Sequence, residues 1–142
     1  MSAGIRLAEM REDIARCFPV MVELRPHLSA EQFVEQVLRQ QQSEGYRLAY
    51  LEEAGQVQAC AGYRFSESLS WGRFLYVDDL VTVASARSKG HGGEMLDWLI
   101  AQAREAGCAQ FHLDSGVQRF GAHRFYLTKR MDIIAHHFAL KL

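Results

Sequence analysis

The segment Arg87-Ser88-Lys89-Gly90-His91-Gly92-Gly93 joins a strand-like run to a helix-like run and packs three glycines into four positions. Glycine lets backbone approach a ligand closely and take left-handed angles, while the free amides and positive dipole end of a following helix attract an anion. A pyrophosphate suits such a turn. The plain alternative is a strand-to-helix turn that merely favours glycine, the commoner case for an isolated Gly-x-Gly. The segment is not a P-loop, because the Gly-Lys-Ser/Thr ending is absent. It also lacks the six-residue dinucleotide fingerprint with its later ribose-binding acid.

A few residues upstream stand two adjacent carboxylates, Asp78 and Asp79. Each could accept a proton or attract a cation. Neighbours on a regular strand face opposite ways, so one of the pair is expected to face a substrate unless a bulge intervenes, and a solvated role stays open for either. The histidines include His91 in the turn, His112, His123 and the pair His136 and His137. None has metal-ligand company, and no metal site is expected. Asp114-Ser115 closes a short strand, where substrate contact and turn formation are both open roles.

Placing these groups requires a scaffold, and 142 residues with 49% hydrophobic and 23% charged content are enough for one globular domain with its own core. A first helix is expected over Glu12–Glu23, from Ile14, Ala15, Phe18, Met21 and Val22, with Pro19 expected to kink or shorten it. A second begins at the cap Ser29 with Gln32 in the reciprocal position, carries Phe33, Val34, Val37 and Leu38 as a stripe, and ends at Gly45. The period then changes. Tyr46–Leu51 and Val57–Phe65 flank a turn at Glu53-Ala54-Gly55 and read as an antiparallel hairpin, followed by a strand over Phe74–Val83. A helix over Gly92–Ala106 and a strand over Gln110–Leu113 complete a βαβ unit with parallel strands. A short helix at Gly121–Leu127 and a last strand at Ile133–Leu140 follow. The expected fold is a single α/β domain, a mixed central sheet of antiparallel meander and parallel βαβ unit with helices on both faces.

Composition excludes several functions. Sixteen Lys and Arg against seventeen Asp and Glu give a net charge of -1, no footprint for nucleic acid. Cys17, Cys60 and Cys108 lack paired spacing, which argues against a disulfide framework or zinc site and fits a reducing cytoplasm. Arg6, Glu9 and Arg11 interrupt what an export signal would need as an apolar core, and no stretch approaches the roughly 20 apolar residues of a membrane-spanning helix.

Arg87-x-x-Gly90-x-Gly92 resembles the Arg/Gln-x-x-Gly-x-Gly/Ala signature of the GNAT superfamily of N-acetyltransferases. Asp79-Leu80-Val81-Thr82 resembles the strand that precedes the signature, and Ala122-His123-Arg124-Phe125-Tyr126 the Ala-x-x-Phe-Tyr helix that follows; residues 46 to 126 are covered. The resemblance implies acetyl-coenzyme A as acetyl donor. Arg87 belongs to the implied coenzyme site, where the amides of Ser88, Lys89, Gly90, His91, Gly92, Gly93 and Glu94 hold the pyrophosphate. Backbone at Leu80, Val81 and Thr82 pairs with the pantetheine arm as an added strand would.

Acetyl transfer to an amine requires a neutral attacking nitrogen, a stabilised oxyanion and a proton for the departing thiolate. The resemblance implies Tyr126 as the group donating to the coenzyme A sulfur, and a phenol with pKa about 10 is protonated at neutral pH. Without the motif it would read as a half-buried packing aromatic. Asp79, ranked ahead of Asp78, is the candidate proton acceptor, or a charge that attracts the amine. Two departures stand out: Arg119 occupies a position where many members have asparagine, and Lys129-Arg130-Met131 replaces the usual Leu-Gly-Phe. The implied function is transfer of acetyl to an amine of a small molecule or peptide, with a catalytically silent acyl-coenzyme A sensor or interaction module as the alternative. A second copy of the chain, in a homodimer, is a further candidate partner.

Overall fold

In the computed structural model, residues 4–142 are described, the side chain of Ser88 excepted. Along residues 4–112 run β1 (Gly4–Leu7), α1 (Arg11–Leu24), α2 (Ala30–Glu44), β2 (Arg47–Glu53), β3 (Gln56–Ser68), β4 (Gly72–Thr82), a 3-10 turn (Ala84–Lys89), α3 (His91–Glu105) and most of β5 (Gln110–Leu113). Residues 113–142 form a second compact unit that carries α4 (Phe120–Thr128) and a C-terminal stretch.

The local signals act as physical chemistry dictates. Ser29 accepts from the Gln32 amide at 3.1 Å while the Gln32 side chain accepts from the Ser29 amide at 3.0 Å, so the capping box starts α2. Gly45, with φ of 67°, ends it in the left-handed region. Ala54 and Gly55 both have positive φ, 55° and 78°, the twist that a two-residue hairpin turn between β2 and β3 requires. The helix α1 runs through Pro19 without interruption.

The strands lie in the order β1-β2-β3-β4-β5, the first four antiparallel and β5 parallel to β4. One face of the sheet presents Tyr46, Leu48, Tyr50, Cys60 and Val81 to Ile14, Cys17 and Met21 of α1 and Phe33, Val34 and Val37 of α2. The opposite face receives α3, where Trp98 meets Tyr63 edge-on with ring centroids 6.1 Å apart. Met95, Leu96 and Leu99 of α3 are fully buried. Burial of each such side chain is worth about 1.5–3 kcal/mol, so α3 is fixed by its apolar face rather than by a cap, Gly90 supplying none.

Two elements differ from the sequence expectation. The strand β1, Gly4–Leu7, pairs antiparallel with β2, from Gly4 opposite Glu52 to Leu7 opposite Ala49, and its four residues are too short for a periodicity signal. The strand expected at Ile133–Leu140 does not form: these residues pair with no sheet edge and stay exposed, Phe138 at 92% and Leu140 at 84%. Strand-forming side chains alone do not satisfy a backbone without a partner ladder. No helix among the described residues is long and apolar enough to cross a membrane.

Candidate active site

The glycine-rich turn follows β4 directly. Glu23 of α1 anchors its first part, accepting from the Ala84 amide at 3.0 Å and standing 3.6 Å from the Arg87 guanidinium. Gly90 has φ of 81°, so it both closes the 3-10 turn and opens α3 in a conformation that disfavours a side chain. The first intrahelical bond runs from the Glu94 amide to the Gly90 carbonyl at 3.0 Å, which leaves the amides of His91, Gly92 and Gly93 with no earlier carbonyl in the helix. A Cβ built on Gly90 would meet nothing within 4 Å, so the space over the turn is open, and on Gly92 it would come 3.3 Å from the Thr82 hydroxyl, so α3 starts close against the end of β4. A helix start with no side-chain cap, opened by glycine, fits a pyrophosphate.

Of the other expected coenzyme residues, Arg87 and Lys89 are exposed, Gly93 and Glu94 are half-buried in the first turn of α3, and the Ser88 side chain lies outside the described residues. The His91 ring is buried, with Nε2 3.6 Å from a Glu53 carboxylate oxygen and Nδ1 lacking a partner among the described residues. Leu80, Val81 and Thr82 end β4. Because the Ala109 amide bonds the Arg73 carbonyl at 2.7 Å and β5 stops at Leu113, β4 outruns β5 toward Thr82. That edge fits an amide-bearing arm.

A β-bulge sits in the middle of β4. Gly62 pairs with Asp79 and the next residue, Tyr63, pairs with Val77, so Asp78 is an extra residue with no partner opposite. The bulge turns both carboxylates to one side, where they line a common cavity of about 440 Å³ with Arg25, Gln40, Glu44 and Arg64. Arg64 grips Asp78 at both oxygens, 2.7 Å from Nε and 2.8 Å from Nη2. Arg25, the residue that caps α1, donates from Nε to Asp79 Oδ1 at 2.9 Å and from Nη2 to the Asp78 carbonyl at 3.0 Å.

The second oxygen of Asp79 accepts from the Tyr46 hydroxyl at 2.8 Å. Burial first, and then the Asp79 charge, push the Tyr46 phenol well above its ordinary value, so it stays a donor. A Cβ on Gly62 would fall 1.7 Å from the Tyr46 hydroxyl, so the ring lies where only glycine leaves room. A neighbouring cavity of about 270 Å³ is walled by Met21, Leu28 and Phe33 together with Arg25, Tyr46 and Asp79.

Tyr126 belongs to α4 in the second unit. Burial raises its phenol, with Arg119 opposing the shift, so the hydroxyl keeps its proton at neutral pH. Sequence reasoning missed Arg25, Tyr46, Gly62 and Arg64, all distant along the chain from the residues they serve. A lone arginine after a helix or a glycine within a strand carried no signal except that glycine in a strand interior often marks a close approach. Among the described residues no group of three or more His, Cys, Asp or Glu is placed to hold a metal ion.

The family model described as the acetyltransferase (GNAT) family matches residues 7–131. The chain is 40% identical over 119 residues, 84% of each chain, to an uncharacterized N-acetyltransferase, YhdJ, of Bacillus subtilis (strain 168). In fold it is similar to a putative acetyltransferase from Agrobacterium tumefaciens str. C58, with a TM-score of 0.84 at 19% identity over 98% of this chain and 99% of that one. It is also similar to glucosamine-6-phosphate N-acetyltransferase from Arabidopsis thaliana, with a TM-score of 0.78 at 18% identity over 99% of each.

Proposed function

Since the chain belongs to the GNAT acetyltransferase family and is an acyltransferase, we propose that it moves the acetyl group of acetyl-coenzyme A directly to an amine of a small molecule or peptide. The observation that carries this reading is the arrangement along one strand: β4 bears two carboxylates on its bulge and runs into the uncapped, glycine-opened start of α3. One end suits an anion and the other suits a cationic amine.

In this reading the amides of His91, Gly92 and Gly93 hold the pyrophosphate, and backbone from Leu80 to Thr82 holds the pantetheine arm. Asp79 draws the ammonium and takes its proton, directly or through one water, with Asp78 adding negative charge beside it. The freed nitrogen attacks the thioester carbon, the C–S bond breaks, and Tyr126 supplies the proton to the departing thiolate, its phenol being restored by the proton that the nitrogen loses as the amide forms. A phenol that keeps its proton at neutral pH suits that role.

The test is ligand-dependent stability. Acetyl-coenzyme A binding only the folded chain raises the melting temperature by mass action, and at a hundredfold excess over Kd the gain is about 2.7 kcal/mol. Adenine nucleotides lacking pantetheine raise it less. A transition that acetyl-coenzyme A leaves unmoved while another nucleotide shifts it would overturn the donor assignment.

A further inference from the structure

We infer that the acetyl acceptor is an amine that also carries an anionic group, a carboxylate or a phosphate, with the anion received by Arg25 and Arg64 at the rim of the β4 cavity and the amine by Asp79 beneath them. This rests on the amine-acetyltransferase reading above.

The first support is depth. The side chains of Arg25 and Arg64 are 41% and 35% exposed, whereas those of Asp79 and Asp78, to which they are bonded, are 16% and 25% exposed. In both pairs the guanidinium stands outward and the carboxylate lies underneath. A ligand that enters from solvent meets the two guanidiniums before the carboxylates they cover, with Glu44 as an exposed carboxylate on the same lining.

The second support is unused donor capacity. A guanidinium carries five N–H donors in a planar fork. Arg25 commits Nε and Nη2, and Arg64 commits Nε and Nη2, so among the described residues Nη1 of each makes no hydrogen bond. The pairing with Asp78 and Asp79 fixes both forks in place, which lowers the ordering cost of receiving an oxyanion.

Charge limits the ligand from the other side. Two arginines and three carboxylates, Glu44, Asp78 and Asp79, line the one cavity, so both signs of charge are offered to a single ligand. A second cationic group, as in a polyamine, would meet the guanidiniums at the rim. The apolar wall of the adjoining cavity, Met21, Leu28 and Phe33, offers contact for a hydrocarbon portion between the two charges.

The experiment compares matched acceptors by thiol release from acetyl-coenzyme A: phenylalanine against phenethylamine for a carboxylate, and glucosamine 6-phosphate against glucosamine for a phosphate. In at least one pair the anionic member is expected to have a kcat/KM about tenfold or more above its partner, chiefly through KM, since charge-assisted hydrogen bonds to the guanidiniums act on binding. Arg25→Gln and Arg64→Gln should erase that preference while Arg25→Lys keeps part of it, with acetyl-coenzyme A affinity, measured calorimetrically on each protein, unchanged. Equal or better turnover of the uncharged partners overturns the inference and leaves the acetyltransferase reading intact. So does acetyl-coenzyme A binding with no acetylation in either arm. Failure to bind acetyl-coenzyme A overturns both.

Discussion

The Tyr46 hydroxyl reaches Asp79 at 2.8 Å by lying across Gly62, the residue that pairs with Asp79 in the neighbouring strand. A methyl group at position 62 would overlap the phenol. Gly62→Ala should therefore destabilise the protein by about 1–3 kcal/mol in urea unfolding, the usual range for overpacking, and should cut acceptor turnover with acetyl-coenzyme A affinity unchanged. Wild-type stability in that variant would mean that the ring finds another seat.

The same phenol makes stability depend on alkaline pH. In the unfolded chain Tyr46 ionises near pH 10, whereas in the fold burial and Asp79 hold its proton on well above that value. Above pH 10 the unfolded state thus binds fewer protons than the folded one, and stability falls as pH rises; below pH 10 the contribution is fully present. The urea midpoint of the wild type should drop between pH 10 and 11 by more than that of Tyr46→Phe. Matching declines would assign the effect to other groups.

Tyr126→Phe keeps the ring and removes the proposed proton donor. Turnover on the true acceptor should fall about a hundredfold or more, the usual worth of positioned acid catalysis, while acetyl-coenzyme A affinity and the melting temperature stay near wild type. Lost coenzyme affinity would indicate positioning instead of proton transfer, and unchanged turnover would reduce Tyr126 to packing.

Gly92→Val and Gly90→Val test the turn. Valine at position 92 presses on Thr82, whose hydroxyl would already lie 3.3 Å from a Cβ, and at position 90 it must adopt a φ of 81° that a β-branched residue disfavours. Calorimetric titration should show acetyl-coenzyme A affinity lowered at least tenfold, a loss of about 1.4 kcal/mol, in each variant that remains folded. Unchanged affinity in the Gly92 variant would leave the turn a structural device only.

Elements with strong local signals were legible in the sequence. Ser29 with Gln32, Gly45 and the glycine-rich opening of α3 act through neighbours a few residues away, so their spacing carried the information. The carboxylate pair was legible as chemistry but not as geometry, because alternation on an ideal strand separates Asp78 from Asp79, and only the pairing of β4 with β3 reveals the bulge that unites them. Arg25 and Tyr46 meet Asp79 across 54 and 33 positions of sequence. No local pattern encodes such contacts. Ile133 to Leu140 failed in the opposite sense: their composition suits a strand, and composition does not supply an edge to pair with.

In phase terms, Asp78 is a one-residue insertion. Tyr76 and Asp78, grouped around Arg64, are even-numbered, whereas Asp79 and Val81 beyond them are odd-numbered and look to the same side of the sheet. Remove Asp78 and the alternation from Tyr76 through Val77 to Asp79 and Val81 becomes that of an uninterrupted strand. A deletion at this one position should leave every other side chain of β4 on its present face, Asp79 still under Arg25, and Arg64 without its carboxylate. The second negative charge is thus separable from the scaffold, an addition that the sheet accommodates without re-registering anything downstream.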